Sequence, residues 1–595
     1  MSTSTANDRD AVSADVLGQP TFCAAFQFTA AVEADQPALT TPDGSGTLTW
    51  SEYAERVRRV AEGLASLGLQ RGDCLALLLS NRPEFHIVDS GAVHLGAIPF
   101  SVYHTNPPEQ IVPLLVNSGA TIMVTEQAFL ERVLQTRQLH PALEHIVVVD
   151  GDAGGLISLE ELESRRQPGF DFDATWSALD CDDVVTLVYT SGTTGEPKGV
   201  QHTHASIMSS CLSMDSYVPF SPGGRVVSYL PMAHIAERFI SHYCSQVFGL
   251  TICACANPKE LPAAIAATRP TRFFGVPRIY EKLMGAVEAL AAAEPDGRLA
   301  SAIETGIGRV RAEQAGQPVG DLDPAHAEIL ASVRAKLGFD QAEWVGVAAA
   351  PSPYSMLEFF PAIGIELIEF WGMSECIFSV TPPRERIKLG RIGIAAPGVE
   401  IRLADDGEIL VKGPNVMVGY RGEPEKTMAA IDPSGWLYSG DIAEADEDGY
   451  LKIVDRKKEL IINTAGKNMA PSKIEMAIKQ ECSLIAQVVA IGDGRPYVTA
   501  LVVLDVEACV RHPEYDSTGG LAVFSQSAAA REAVAAAVAA GNERLARVEQ
   551  VKRHRILSEQ WEAGSAELTP TLKLRRRPIS EKYTDEIDAM YISAT

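Results

Sequence analysis

The chain has 595 residues, 46% of them hydrophobic and 22% charged, and a formal net charge of −26. That length exceeds what one hydrophobic core ordinarily supports, so at least two domains are expected in a chain of globular composition. The acidic balance argues against nucleic acid or an anionic membrane as the main partner, since either needs a basic face. Ten cysteines are scattered, only Cys253 and Cys255 lying close together, with no CxxC pair, which fits neither a disulfide framework nor a zinc site. They read as reduced core residues of a cytoplasmic protein. No apolar run approaches the roughly 18 residues of a membrane helix, and residues 1–20, polar and acid-bearing, read as a flexible tail rather than a signal.

Leu48-Thr49-Trp50-Ser51 looks like a strand ending and a Ser51 helix cap, with Val57, Val60, Leu64 and Leu67 at helical spacing behind it. A strand at 74–79 follows, and helix and strand alternate through 85–95, 97–101, 110–118 and 121–124. This is the rhythm of a parallel sheet with helices on both faces. Residues 184–188 read as a buried strand. After it comes Tyr189-Thr190-Ser191-Gly192-Thr193-Thr194-Gly195-Glu196-Pro197-Lys198-Gly199-Val200, and then 202–214, which can be written as a helix. The loop's glycines, hydroxyls and lysine could fold around phosphate oxygens and offset their charge. It is no Walker A loop, because Lys198 stands between Pro197 and Gly199. From composition alone, a surface loop whose small residues serve turns is equally possible.

Further on, His234 lies in Ser-Tyr-Leu-Pro-Met-Ala-His-Ile-Ala-Glu-Arg-Phe, residues 228–239, and Phe274 lies in Phe-Phe-Gly-Val-Pro-Arg-Ile-Tyr-Glu-Lys-Leu, residues 273–283. The Ala-rich, charged stretch to about Leu337 reads as a solvated helical excursion. A strand at 344–348 leads into Ala349-Ala350-Pro351, and one at 365–368 into Glu369-Phe370-Trp371-Gly372-Met373-Ser374-Glu375. On local pattern alone Trp371 reads as core and Glu375 as a surface charge. Residues 407–420 are turn-rich. Trp436-Leu437-Tyr438-Ser439-Gly440-Asp441 then precedes a strand at 450–454 and Asp455-Arg456-Lys457-Lys458. The remainder is small α+β: strands near 488–492 and 498–504, helices at 528–540 and 542–552, and a basic run from Lys573 to Arg577.

In this order these motifs closely resemble those of the adenylate-forming (AMP-binding) superfamily, over roughly residues 48–583, and the segments around His234 and Phe274 resemble its long-chain fatty-acid–CoA ligase branch. The resemblance implies a large N-terminal domain, residues 21–456, of doubly wound α/β sheets plus a small β-barrel, and a smaller mobile α+β domain, 457–595. It implies ATP held by Thr190, Ser191, Gly192, Thr193, Thr194, Gly195 and Lys198. The adenine turn would be Ala349-Ala350, where the family commonly has glycines, with Phe370, Trp371, Gly372, Met373 and Ser374 beside it. Asp441 and Arg456 would meet the ribose. Mg²⁺ would sit on Glu375 and Thr190, and Lys573 would be the adenylation lysine, with Leu572 where the family has glycine. Lys458 would be the hinge, Gly466 and Lys467 would meet CoA, and His234 and Phe274 would line the fatty-acid path. The implied reaction joins a long-chain fatty acid to CoA through acyl-AMP. A fatty acyl-AMP ligase loading a carrier protein, and a non-catalytic nucleotide or acyl sensor, stand as alternatives; oligomeric state and peripheral membrane contact are left open.

Overall fold

The computed structural model describes residues 15–190, 197–221, 223–464, 467–569 and 572–592. Internal contacts divide the chain into two units. One runs to Ala348 and adds Glu358–Arg402 and Leu410–Tyr438; the other joins Ala349–Leu357 and Leu403–Ile409 to the chain from Ser439 onward.

The first unit is built on an eight-stranded sheet. Its spatial order is Gly419–Tyr420, Lys198–Thr203, Val184–Thr190, Ile98–Ser101, Cys74–Leu78, Ile122–Thr125, His145–Val148, Ile157–Ser158. The strands from Val184–Thr190 outward to Ile157–Ser158 pair in parallel. Such strands are buried on both faces and so read as apolar runs without alternation; all five residues of Cys74–Leu78 are buried. The helix Trp50–Ser66 is capped by Thr49, not Ser51. The Glu52 N–H donates to Thr49 Oγ1 at 3.3 Å while the Thr49 N–H donates to Glu52 Oε2 at 2.8 Å. That reciprocal box needs a carboxylate three residues after the cap, which Thr49 has and Ser51 lacks. Two further parallel arrays, Arg225–Ser228 with Thr251–Ala254 and Pro37–Thr40, and Arg272–Gly275 with Trp344–Val347 and Leu367–Glu369, complete the α/β character.

Two further sequence expectations are revised in this unit. Residues 202–214 do not open as a helix: Lys198–Thr203 is a strand, antiparallel to Val184–Thr190, and the helix is His204–Tyr217. Thr190 therefore ends, and Lys198 begins, one of two antiparallel neighbouring strands. The stretch to Leu337 is helical, as read, but it is not wholly solvated. It folds as helices Pro277–Ala293, Arg298–Gln314 and Pro324–Leu337. Leu299, Ala302, Ile303, Gly306 and Val310 recur at three- and four-residue spacing and are buried, so one stripe docks while the charged face stays in water.

In the second unit Ile485–Ile491, Val498–Leu504 and Val551–Ile556 form a sheet, antiparallel then parallel. Alternation along Val498–Leu504 sorts its side chains. Val498, Ala500, Val502 and Leu504 pack with the helices Pro471–Lys479 and Ala528–Glu543, whereas Leu501 and Val503 meet Leu557, Trp561, Leu568, Ile579 and Tyr583. The expected helix at 542–552 is absent. The preceding helix ends at Glu543, and Val551–Ile556 is a strand. The Asn542 side chain makes this turn: its Nδ2 donates to Val551 O at 2.9 Å and its Oδ1 accepts the Val551 N–H at 2.8 Å. The consecutive Lys-Arg-His-Arg of this edge strand is a basic run that discourages further pairing. Among the described residues no helix is long and apolar enough to cross a membrane.

Candidate functional site

Hairpin geometry sets Thr190 directly opposite Lys198. Ser191, Gly192, Thr193, Thr194 and Gly195 lie outside the described residues. On the far side of Lys198–Thr203 the short strand Gly419–Tyr420 pairs antiparallel, Gly419 with Gln201 and Tyr420 with Val200. Tyr420 thus lies two residues in register from the lysine, on the same face of the sheet, and the Lys198 Nζ stands 4.6 Å from the centre of the tyrosine ring. The same tyrosine hydroxyl donates to Glu375 Oε1 at 2.8 Å.

Glu375 is fixed from two directions. The Met417 N–H donates to its carbonyl at 2.8 Å. Just before it, Ser374 O accepts a bond of 2.7 Å from His202 Nε2, on the strand that begins at Lys198. Burial pushes the His202 imidazole down to about 4, so near neutral pH it is uncharged with the proton on Nε2. Burial, and then the Glu375 carboxylate, hold the Tyr420 phenol far above its usual range, so it remains a donor. Glu375 is only 9% exposed and forms no ion pair with Lys or Arg among the described residues. A nearly buried carboxylate without a cationic side chain, one oxygen held by a neutral donor, is a hard-oxygen arrangement that fits a divalent cation such as Mg²⁺.

Phe370, next to Trp371 in the same motif, belongs to an aromatic group. Phe370 and Phe274 stack with ring centres 6.5 Å apart, and Phe370 meets Trp344 at 5.8 Å and Phe378 at 5.4 Å. Gly346 lies beneath the pair: a Cβ there would come within 2.4 Å of the Phe370 ring. Trp371, 8% exposed, pairs across strands with Val380, with Gly372 and Met373 completing its strand. His234 is half-buried and caps Ile235–Glu237, its Nδ1 accepting the Ala236 N–H at 3.2 Å. A π-helical stretch, Arg238–Cys244, follows directly. It is anchored inside the unit by an ion pair from Arg238 to Asp89, whose other oxygen accepts a 2.9 Å bond from His242 Nε2.

In the second unit Asp441 and Arg456 face one another across an antiparallel pair, with Arg456 Nε 3.2 Å from Asp441 Oδ1. Gly440 takes φ 75° before Asp441, and its N–H donates to Glu408 Oε1 at 2.9 Å. Glu408 also accepts from Lys457 Nζ at 2.8 Å. Lys458 is exposed on the turn that ends the strand Leu451–Arg456. Gly466 lies outside the described residues; the Lys467 N–H donates to Asn463 Oδ1 at 3.0 Å. Lys573 is half-buried, its N–H donating to Thr569 Oγ1 at 3.0 Å and its carbonyl accepting the Thr569 N–H at 2.8 Å. Two sequence departures keep a glycine's backbone: Ala349 has φ 76° and Leu572 φ 62°. Leu572 offsets the strain of that region by packing against the Trp561–Tyr583 cluster. Ala350 follows Ala349 and is exposed.

Thr190, Lys198, Ser374 and Glu375 are thus gathered in the first unit, and Phe274 shares an aromatic group with Phe370. Tyr420, His202 and Glu408 escaped sequence reasoning. A two-residue strand carries no periodicity, and a lone buried histidine reads as core, so only pairing reveals them.

The AMP-binding enzyme model matches residues 26–421, and the AMP-binding enzyme C-terminal domain matches 458–595. The chain belongs to the AMP-binding enzyme family. Among its curated relatives, a putative fatty-acid–CoA ligase of Mycobacterium tuberculosis is 44% identical over 74% of this chain and 79% of its own length. A long-chain-fatty-acid–CoA ligase of the same organism is 33% identical over 92% of this chain and 93% of its own. A long-chain-fatty-acid–CoA ligase of Xenopus laevis is 30% identical over 96% and 83%. Solved structures of AMP-binding enzymes share the fold, a large N-terminal domain followed by a smaller C-terminal one. An anthranilate CoA ligase in complex with anthranoyl-AMP superposes with TM-score 0.74 at 19% identity, covering 97% of this chain and 99% of that one. The adenylation domain of a carboxylate reductase from Mycobacterium chelonae gives TM-score 0.77 at 20% identity, over 98% and 93%.

Proposed function

We propose that this AMP-binding enzyme is a long-chain fatty-acid–CoA ligase working in two half-reactions. In the first, a fatty carboxylate oxygen attacks the α-phosphorus of ATP; the bond to the β-phosphate oxygen breaks and pyrophosphate leaves, giving acyl-AMP. In the second, the CoA thiol loses its proton, its sulfur attacks the acyl carbonyl carbon, and AMP departs. No side-chain nucleophile is required; the protein contributes position and charge.

The observation that carries this reading is the Lys198–Tyr420–Glu375 assembly. Lys198 and the hydroxyls of residues 190–194 bind the β- and γ-phosphates. Glu375 and Thr190 are the residues that would hold Mg²⁺, whose chemistry is to offset the triphosphate's charge. Asp441, an acceptor-only group, takes the ribose hydroxyls with Arg456 beside it. The left-handed turn at Ala349 and Ala350, with Phe370 to Ser374, accommodates adenine, and Trp371 offers a ring face to it. His234 and Phe274 line the fatty-acid path. Lys573 bridges carboxylate and α-phosphate, Lys458 is the pivot between the large domain, 21–456, and the small one, 457–595, and the loop at Gly466 and Lys467 meets the CoA arm. The working compartment is the cytoplasm.

The test is mass spectrometry of products formed from ATP, Mg²⁺, CoA and a mixture of short to long carboxylic acids. Acyl-CoA from the long acids is expected. Acyl-AMP accumulating with CoA untouched, or no product at all, overturns the proposal.

A further inference from the structure

Lys573 lies on the returning arm of a narrow hairpin. The Arg575 N–H donates to Glu567 O at 2.8 Å, Leu568 and Leu574 bridge in antiparallel register, and Thr569 and Lys573 exchange the bonds described above. Directly behind the base of that hairpin stands Arg576, the first residue of the helix Arg576–Lys582. Its guanidinium is spread over two acids. Nη1 and Nη2 meet Glu475 Oε1 and Oε2 at 2.5 and 2.9 Å, and Nε donates to Glu459 Oε2 at 3.0 Å. Glu475 is 9% exposed and is held in turn by the Ala490 N–H at 2.9 Å. It belongs to Pro471–Lys479, the helix that follows the Asn463–Lys467 loop, and Glu459 sits on the turn immediately after Lys458.

Arg576 therefore ties together three segments: the hairpin carrying Lys573, the helix behind the Lys467 loop, and the turn behind Lys458. A planar fork can hold two carboxylates at fixed angles, which a lysine's single ammonium cannot. We propose that Arg576 is a positioning residue for Lys573, making its hairpin one rigid body with the chain just past the pivot. The inference rests on the ligase reading, in which Lys573 must reach the α-phosphate during the first half-reaction only. A hairpin free to swing at its base would put the ammonium in place a smaller fraction of the time, whereas the second half-reaction, which does not use Lys573, would proceed as before.

The test compares wild type with Arg576→Lys, and with the pair Arg576→Gln/Glu475→Gln, which removes both buried charges together should the single change fail to fold. Three quantities are read: fatty-acid-dependent ATP–pyrophosphate exchange, thioester formation from supplied acyl-AMP, and amide hydrogen exchange in peptides spanning 567–577. Expected are exchange rates in that segment raised about tenfold, adenylation lowered about tenfold, and thioester formation within about twofold of wild type. Unchanged protection of the hairpin, or equal loss in both half-reactions, overturns the inference. Should wild type form no acyl-AMP, the ligase reading fails, while hydrogen exchange still judges Arg576 by itself.

Discussion

Tyr420 does two jobs with one side chain: its ring lies under the Lys198 ammonium and its hydroxyl holds a Glu375 oxygen. The two can be separated by substitution. Tyr420→Phe keeps the ring and deletes the donor, leaving the nearly buried carboxylate without it. Loss of a hydrogen bond to a charged group costs about 1.5–3 kcal/mol, so kcat/KM for Mg·ATP should fall about tenfold or more, with a raised Mg²⁺ requirement. Steady-state kinetics over a Mg²⁺ series measures this, and unchanged values would remove Tyr420 from the site. At the same scale, Ala349 and Leu572 show how far a motif's glycine can be replaced: the backbone keeps φ 76° and 62° at those positions. Reading the residue alone gives the departure; only the dihedral shows that the turn survives it.

At the scale of elements, the segment from His234 through the π-helical Arg238–Cys244 is a polar structure inside a core. Glu237, 1% exposed, accepts the Tyr229 N–H at 3.1 Å, and burial raises its carboxyl to about 7. The folded protein therefore binds a proton that the unfolded chain, titrating near 4.5, has already released. Stability from this group is complete below about 4.5, declines as pH rises toward 7, and is gone above it. Glu237→Gln removes the titration, so its melting temperature relative to wild type should climb from pH 5 to 7 and then level off, the difference reaching on the order of 3 kcal/mol. A pH-independent difference in thermal melts would contradict this. The same scale explains two misread elements. Gln201-His202-Thr203 fits a helix start or a strand end equally, and pairing with Val184–Thr190 selects the strand. Residues 542–552 have helical composition, but the two bonds between Asn542 and Val551 fix a turn there.

For the whole molecule, the proposed division of labour assigns Lys573 to adenylation alone. Lys573→Ala should lower acyl-AMP formation by at least about 100-fold, the scale of losing a charge aimed at the transition state. Thioester formation from supplied acyl-AMP should stay near wild type. Separate assays of the half-reactions measure the split, and equal loss in both would refute it.

The motifs in family order, the alternation of helix and strand through the first unit, and the α+β character of the end were legible in the sequence. Local rules carry that information: hydrophobic period, turn residues and the order of the motifs. What tertiary structure decided is which side chains meet. The edge strand Gly419–Tyr420 sets an aromatic ring under Lys198 and a hydroxyl against Glu375, residues far from it along the chain. Pairing across such distances depends on sheet order, and sheet order is fixed by burial of the whole core rather than by any one segment's pattern.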